Sequence, residues 1–570
     1  MKKGRYIAII FLIFFFLAMA TILAFIYSEF SRPPEIGAAS YLEIGLGGPL
    51  PELAEPDFLT AYVLGRRPLS VHDVWENLRK AKVDGRIRCV LVRLGDLGGD
   101  WAKASELRDA ILDFRRSGKK VYAYIEEAPE FDKEYYLATA CDRIILHPLG
   151  WLGVNGLGGW VPFIKEGLDK LGIEAEFEHV EEYKTAYNMF TEKGFTPAHR
   201  AMLESLEQDI FNDYVRTAAA ARKMTEEDFR SRLDQGLFQG GQAKDAGLVD
   251  DLMYDDELRT LLRDESRDLE RTSLAEYNRV SPTSLGLETG RRIALIYAVG
   301  PIISGEGFYE TIGGRTFSRW LRRARQDRSV AAIVLRVDSP GGSSVGSDVI
   351  WREVQLAKKD KPVVVSMSDL AGSGGYWISM AAHKIVAQPQ TLTGSIGVIA
   401  GKFNLAGLYG KLGITAEKMT FGPRADMFST FRPLSPDERK LLKDQILWTY
   451  DRFLTKAAEG RNMTRADVDK VGKGRVWTGR QAKDIRLVDE TGGLTMAIGQ
   501  AKKLAGIPAE EEVAFDVWPK STTLLGAIFG RQDAAVKWPL PEETGKLLTT
   551  LQALEKQNPL SVMPFWLPIQ

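Results

Sequence analysis

At 570 residues the chain exceeds one ordinary domain and has length for two substantial cores. Apolar residues make up 45% and charged residues 26%, values that exclude disorder as the main state. A formal net charge of -1 leaves no basic excess for a nucleic-acid partner, and two cysteines, Cys89 and Cys141, cannot build a disulfide framework or a thiolate zinc site.

The chain opens with "MKKGRY" and then Ile7–Tyr27, an uncharged run long enough to cross a bilayer core of about 30 Å. Lys2, Lys3 and Arg5 precede it, so the positive-inside rule keeps the N-terminus cytoplasmic and sends the bulk of the chain to the outer, periplasmic face of the cytoplasmic membrane. "AMA" at Ala18–Ala20 has the look of a signal-peptidase site. The apolar run continues past it through "TILAFIY", which favours a retained, single-pass anchor over a cleaved leader.

After the anchor (1–28), short apolar runs alternate with helical patterns over 40–254 and again over 291–505. A charged segment, 255–290, reads as linker plus a helix. In the second stretch "IALIYAV", "VAAIVLRV", "PVVVSM" and "KIVAQP" read as strands; "SRWLRRARQD", "SSVGSDVIWREVQLAKK" and "GGYWISMAA" read as helices. The basic run Arg319–Arg328 is then a solvated helix face. β-Branched, nearly unbroken apolar strands with crossover helices predict a mainly parallel sheet buried on both faces. The tail, 506–570, carries "LLGAIFG" and ends "MPFWLPIQ"; its apolar stretches are read as packing on the core, an oligomer neighbour or the bilayer.

The two stretches are copies of one another. "RLGDLGG" (Arg93–Gly99) returns as "RVDSPGG" (Arg336–Gly342), and "YYLATACDRIILHP" (Tyr135–Pro148) as "YWISMAAHKIVAQP" (Tyr376–Pro389). "KLGI" occurs at Lys170 and Lys411, and "QAKDAGLVDD" (Gln242–Asp251) returns as "QAKDIRLVDE" (Gln481–Glu490). The order and the spacing hold throughout, so the fold class is two α/β repeats in tandem behind one transmembrane helix.

The copies have lost different residues. Ser373 sits between Gly372 and Gly374 ahead of a predicted helix; its counterpart in "PEFDKEYY" is Asp132. Downstream of "KLGI" the first copy presents Lys184, where the second has Ala425. One copy keeps the serine and the other the lysine, as expected if two half-sites combine into one Ser/Lys site. The histidines (His72, His147, His179, His199, His383) show no metal-ligand spacing. His383, ten residues beyond Ser373, lies about 15 Å away along a helix and on another face. A lysine base must be neutral; at pH 7 that costs about 4.6 kcal/mol for a solvated amine, so Lys184 needs an apolar cleft. Ser395 in "TLTGSIG" is placed to aim it. Gly374, with Gly341 or Gly342 of "SPGGSS", offers backbone N–H donors for a developing oxyanion. "GVNGLGG" (Gly153–Gly159) lacks the lysine and context of a phosphate loop, and no cofactor or metal is expected.

At "DSPGG", "GSGGYWIS", "TLTGSIG", "VWTGRQAKDIRLVDE" and "EEYKTA" the chain resembles the signal peptide peptidase A family in its long, duplicated, membrane-anchored bacterial form, over roughly residues 40–505. The resemblance implies a Clp-protease/crotonase-like fold and a serine endopeptidase with Ser373 as nucleophile, Lys184 as general base and Ser395 holding the lysine. Gly374 with Gly341 or Gly342 would form the oxyanion hole. It implies a homo-oligomer such as a tetramer on the outer face of the cytoplasmic membrane, acting on signal peptides left in the bilayer. Gly372 stands where the family usually has alanine, and Thr185 and "YNMF" depart from the family pattern beside the lysine; these bear on substrate preference more than on chemistry. Two other functions fit the same fold: a crotonase-type acyl-CoA enzyme, and an inactive membrane scaffold. Both fit the anchor or the Ser/Lys split less well.

Overall fold

The apolar runs become the centres of two parallel sheets. In this computed structural model the described residues are 34–54, 68–128, 130–266, 269–307, 311–520 and 560–562, with Phe14 and Thr21. The anchor expected at Ile7–Tyr27 otherwise lies outside them, and among the described residues no helix is long and apolar enough to cross a membrane.

The first sheet sets β1 (Ser40–Gly48), β2 (Ile87–Leu97), β3 (Lys120–Ile125) and β4 (Arg143–Leu146) side by side in chain order. The short strand Asp251–Leu252 lies beyond β4, and β5 (Glu270–Ser273) beyond β1, all parallel. The second sheet repeats this. β6 (Arg292–Val299), β7 (Val330–Ser339), β8 (Val363–Gly372) and the strand Lys384–Ala387 follow in parallel, with Glu490–Thr491 at one edge and β11 (Ala514–Trp518) at the other. Beyond the end of β8, β9 (Leu392–Gly394) pairs with it in parallel and β10 (Val476–Thr478) pairs antiparallel with β9.

Both sheets therefore have the same strand order, and the match runs further than the sequence pattern suggested. The segment read as linker supplies the helix Asp255–Ser266 and also the edge strand β5; the segment read as a C-terminal extension supplies the equivalent edge, β11. "ERTS" has no apolar run to announce it, because an edge strand of four residues buries little. The long helices repeat as well: Pro197–Arg222 and Pro436–Arg461 each have proline in the first turn and a hydroxyl N-cap, Thr196 and Ser435, that accepts a first-turn N–H.

Alternation along the strands divides the second sheet between two cores. Val334 and Val364 pack with Val90, Trp101, Phe114 and Leu494, so one core is shared by both sheets. Ile333, Leu335 and Val365 face Trp377, Ile446 and Phe453 on the other side. Buried charge crosses the shared region. The Arg336 guanidinium on β7 donates to Glu52 at 2.7 Å and Glu106 at 2.8 Å, all three being at most 2% exposed. Lys103, on the helix α1 (Trp101–Arg115), reaches Asp338 at 2.9 Å and Asp369 at 3.4 Å. The Asp369 carboxylate also accepts the N–H groups of Asp100 (2.9 Å) and Lys103 (2.8 Å) at the start of α1. A residue four positions before Ser373 thereby caps a helix of the other half.

A third, smaller sheet joins the halves at the site. Its order is Ile312–Gly313, Ile302–Ile303, Gly341–Ser343, Leu560–Val562, Ile399–Asn404 and Glu174–His179. The last two pair antiparallel from His179↔Ile399 to Glu174↔Asn404, which carries the Lys184 segment of the first half onto the second.

Candidate active site

Strand β8 ends at Gly372, and the chain turns at Ser373 into the short helix α2 (Gly374–Ser379). Ser373 makes that turn with φ +55° and ψ -111°, a conformation that disfavours any side chain and stores of order 1–3 kcal/mol of strain. Its N–H donates to the Gly394 carbonyl at 2.9 Å, tying the turn to β9. Ser395 follows β9 with φ +49°, its N–H bonded to the Arg475 carbonyl at 2.8 Å. Two strained serines are thus held by neighbouring strand ends.

Lys184 arrives from the first half. Its Nζ lies 2.9 Å from Ser373 Oγ, 2.9 Å from Ser395 Oγ and 3.1 Å from the Ser395 carbonyl oxygen. All three side chains have zero solvent exposure. Burial alone drives the Lys184 pKa well below the ordinary lysine value; no carboxylate opposes it. Lys103 shows the contrast. It too is buried, but Asp338, Asp369 and Glu52 outweigh the burial and keep it charged. A neutral amine has two N–H groups and one lone pair. The N–H groups match the Ser395 hydroxyl and carbonyl oxygens, leaving the lone pair for the Ser373 hydroxyl proton.

The glycines fit around this centre. A β-carbon on Gly374 would stand 3.0 Å from Gly341 Cα and 3.1 Å from Gly342 N, so the helix start abuts the Gly341–Ser343 strand. Gly342, at φ +148°, lies so close to Ile302 that a β-carbon would be 2.1 Å from its carbonyl oxygen. The Gly341 N–H donates to Ser339 Oγ at 3.2 Å.

His383 is remote. Its Nδ1 accepts the N–H of Val363, at the start of β8, whereas Ser373 follows the end of that ten-residue strand, roughly 30 Å away at ~3.3 Å per residue. The helix stops at Ser379 and the chain folds back, so the separation is larger than a continuous helix would give. Ala425 lies in an exposed turn and Asp132 accepts the N–H groups of Asn155 and Gly156 within the first half. Among the described residues no group of acidic, histidine or cysteine side chains could hold a metal.

Sequence reasoning missed Gly397 and Gly474. A β-carbon on Gly397 would lie 3.2 Å from Lys184 Cδ, and one on Gly474 2.5 Å from Lys184 Cβ. Together they form the slot that seats the lysine. The copies held a signal: aligned on "QAKD", Gly474 corresponds to Gln235, so glycine stands only in the copy that receives a lysine.

A serine at a strained strand-to-helix turn, a buried amine whose pKa burial drives down against its hydroxyl, and a glycine-walled strand beside both make up the equipment of a serine hydrolase. The chain matches the pattern of peptidase family S49 over residues 113–269 and 355–508, one segment in each half, and it belongs to that family. It is therefore a serine endopeptidase. It is 36% identical to the chloroplastic serine protease SPPA of Arabidopsis thaliana over 80% of this chain and 69% of that one. It is 33% identical to Protease 4 of Salmonella typhi, over 84% and 78% respectively. Among solved structures, ClpP1 from Listeria monocytogenes aligns with 35% of this chain and 91% of its own at 16% identity, with a TM-score of 0.23, too low to carry an argument.

Proposed function

We propose that the protein is a membrane-anchored endopeptidase in which Ser373 is the nucleophile, Lys184 the general base and Ser395 the residue that aims the amine. The observation that carries this is the contact set of Lys184: three oxygen partners within 3.1 Å, no carboxylate, and complete burial. Neutral Lys184 takes the Ser373 proton as Oγ attacks a peptide carbonyl, then returns it to the leaving amine; water hydrolyses the acyl-serine by the same route. The oxyanion accepts N–H groups from Gly374 and Gly342. Gly342 is preferred to Gly341 because Gly341 spends its N–H on Ser339.

The substrates we assign are apolar peptides, signal peptides released into the bilayer among them. The support is the resemblance together with the uncharged run after "MKKGR", which would tether the site at the outer face of the cytoplasmic membrane. We read the two repeats, of Clp-protease/crotonase type, as spanning residues 40–273 and 291–518, and the assembly as a homo-oligomer.

A serine-directed fluorophosphonate tests the chemistry: it should label Ser373, and Lys184→Ala should slow labelling sharply. A label on another serine, or undiminished labelling of Lys184→Ala, overturns the assignment. Protease added to intact spheroplasts should digest the C-terminal bulk; full protection would reverse the topology.

A further inference from the structure

We infer that Lys103 is a positioning residue for the nucleophile: its ammonium, supplied by the first half, clamps the bulge in β8 that aims Ser373. The inference rests on the catalytic reading above. Strands β7 and β8 pair up to Val337↔Met367 and again at Ser339↔Ala371. Between those pairs β7 has only Asp338, whereas β8 has Ser368, Asp369 and Leu370. A bulge of this kind bends its strand and re-aims the side chains beyond it. Here the strand ends at Gly372 and the next residue is Ser373. In the first copy β2 and β3 pair without a shift and stop at Leu94↔Ile125, so the bulge belongs to the copy that carries the serine.

The bulge is held chiefly from the first half. The Ser368 hydroxyl donates to Glu52, and the Asp369 carboxylate accepts the N–H groups of Asp100 and Lys103. The Leu370 N–H donates to Asp338 Oδ1 at 3.1 Å. Lys103 Nζ closes the arrangement: at 2.9 Å from Asp338 on β7 and 3.4 Å from Asp369 on β8, it spans the bulge from one strand to the other. Lys103 and Asp369 are buried, so without the ammonium two like charges on adjacent strands are left nearly dry and push apart. These residues are divided between the copies as Ser373 and Lys184 are. In "RLGDLGG" and "RVDSPGG" Asp338 stands opposite Gly95; counted from the glycine pairs, Lys103 stands opposite Gly346. The first copy's own glycine pair packs here. A β-carbon on Gly99 would lie 2.8 Å from Lys103 Cδ and 3.4 Å from Asp369 Oδ2. The first half thus supplies two lysines, Lys184 to take the proton and Lys103 to hold the serine within its reach.

The test times fluorophosphonate labelling of the full chain in detergent, with steady-state cleavage of an apolar fluorogenic peptide in parallel. Lys103→Met should label to the same final extent as the wild type but about 10²-fold more slowly, the loss that goes with a displacement near 1 Å at a reacting group. Its kcat should fall in step while KM stays within about two-fold. Adding Asp338→Asn leaves one carboxylate and supplies an amide that accepts from Leu370 and donates to Asp369; labelling should return to within about ten-fold of wild type. Adding Asp338→Leu instead, of similar size but without those bonds, should not restore it. This pair of double variants decides the matter even where Lys103→Met alone does not fold, and equal labelling rates in the two overturn the inference. So does a Lys103→Met enzyme that labels at the wild-type rate, or one whose final extent falls at an unchanged rate, since Lys103 would then hold only the fold. A wild type labelled on another serine overturns the catalytic reading, and this inference with it.

Discussion

Gly474 packs on Lys184 so closely that a β-carbon at position 474 would stand 2.5 Å from both the backbone N and the Cβ of the lysine. The two residues come from different halves of the chain, and φ of +81° at Gly474 adds a second reason for glycine. Gly474→Ala must push the Lys184 segment away from Ser373. A displacement near 1 Å at a reacting group costs on the order of 10²-fold in rate. We expect kcat to fall by about that factor with an unchanged far-ultraviolet spectrum. Gly499→Ala, on the helix Leu494–Leu504 with nothing near its missing β-carbon, should keep full activity. Equal activity in the two variants would remove Gly474 from the slot.

Lys184 Nζ lies 2.9 Å from Ser373 Oγ, and if the two pass one proton as proposed, their losses should not add. Ser373→Ala and Lys184→Ala should each reduce peptidase activity to background, and the double variant should be no worse than either. Ser395→Ala should lower the rate without abolishing it, because Ser395 aims the amine and transfers no proton. Steady-state rates at neutral pH decide this, and appreciable turnover by Lys184→Ala would defeat the dyad.

The burial of Lys184 also bears on stability. The pKa of Lys184 is depressed in the folded state by burial. Below the ordinary lysine value the unfolded chain therefore binds a proton that the folded chain refuses, and stability falls as pH falls towards the folded pKa. Lys184→Met removes that penalty. We expect the variant to be inactive yet about 1–2 kcal/mol more stable at pH 7, with the advantage shrinking as pH rises towards 10. Urea denaturation at several pH values measures both; an advantage that grows with pH would have the wrong sign.

What could be read from the sequence, and what could not, follows from how each feature is made. The central strands were legible because β-branched runs such as "VAAIVLRV" are buried on both faces. The duplication was legible because "QAKD" and "KLGI" recur in order. Pairing Ser373 with Lys184 needed no contact information, only the observation that each copy lacks what the other keeps. The edge strands β5 and β11 were not legible: "ERTS" has no apolar run, and "AFDVW", though apolar, is only five residues long and lies beyond the last motif the two copies share. Neither was the reach of Asp369 to the first turn of α1, because N–H groups carry no residue type. The Gly397 and Gly474 slot exists only once a lysine from elsewhere is set into it.

The charge buried between the halves supplies the last prediction. Arg336 is 1% exposed and satisfies Glu52, Glu106 and the Ser366 hydroxyl at 2.9 Å. Glu106 in turn accepts the Leu494 N–H at 2.8 Å, so the network ties β7 to helices of both halves. Arg336→Met leaves two carboxylates in a dry interior, and breaking a buried pair in this way costs about 3–5 kcal/mol. The Ser368 hydroxyl donates to Glu52, so adding Glu52→Gln and Glu106→Gln removes the orphaned charge and keeps acceptors for Ser368 and Leu494, and the triple variant should recover much of the loss. Thermal unfolding reads the comparison. If the triple variant is no more stable than Arg336→Met, the destabilisation comes from lost packing rather than from unpaired charge. Because β7 lies beside β8, whose end presents Ser373, activity at low temperature should follow the same order: wild type, triple variant, then Arg336→Met.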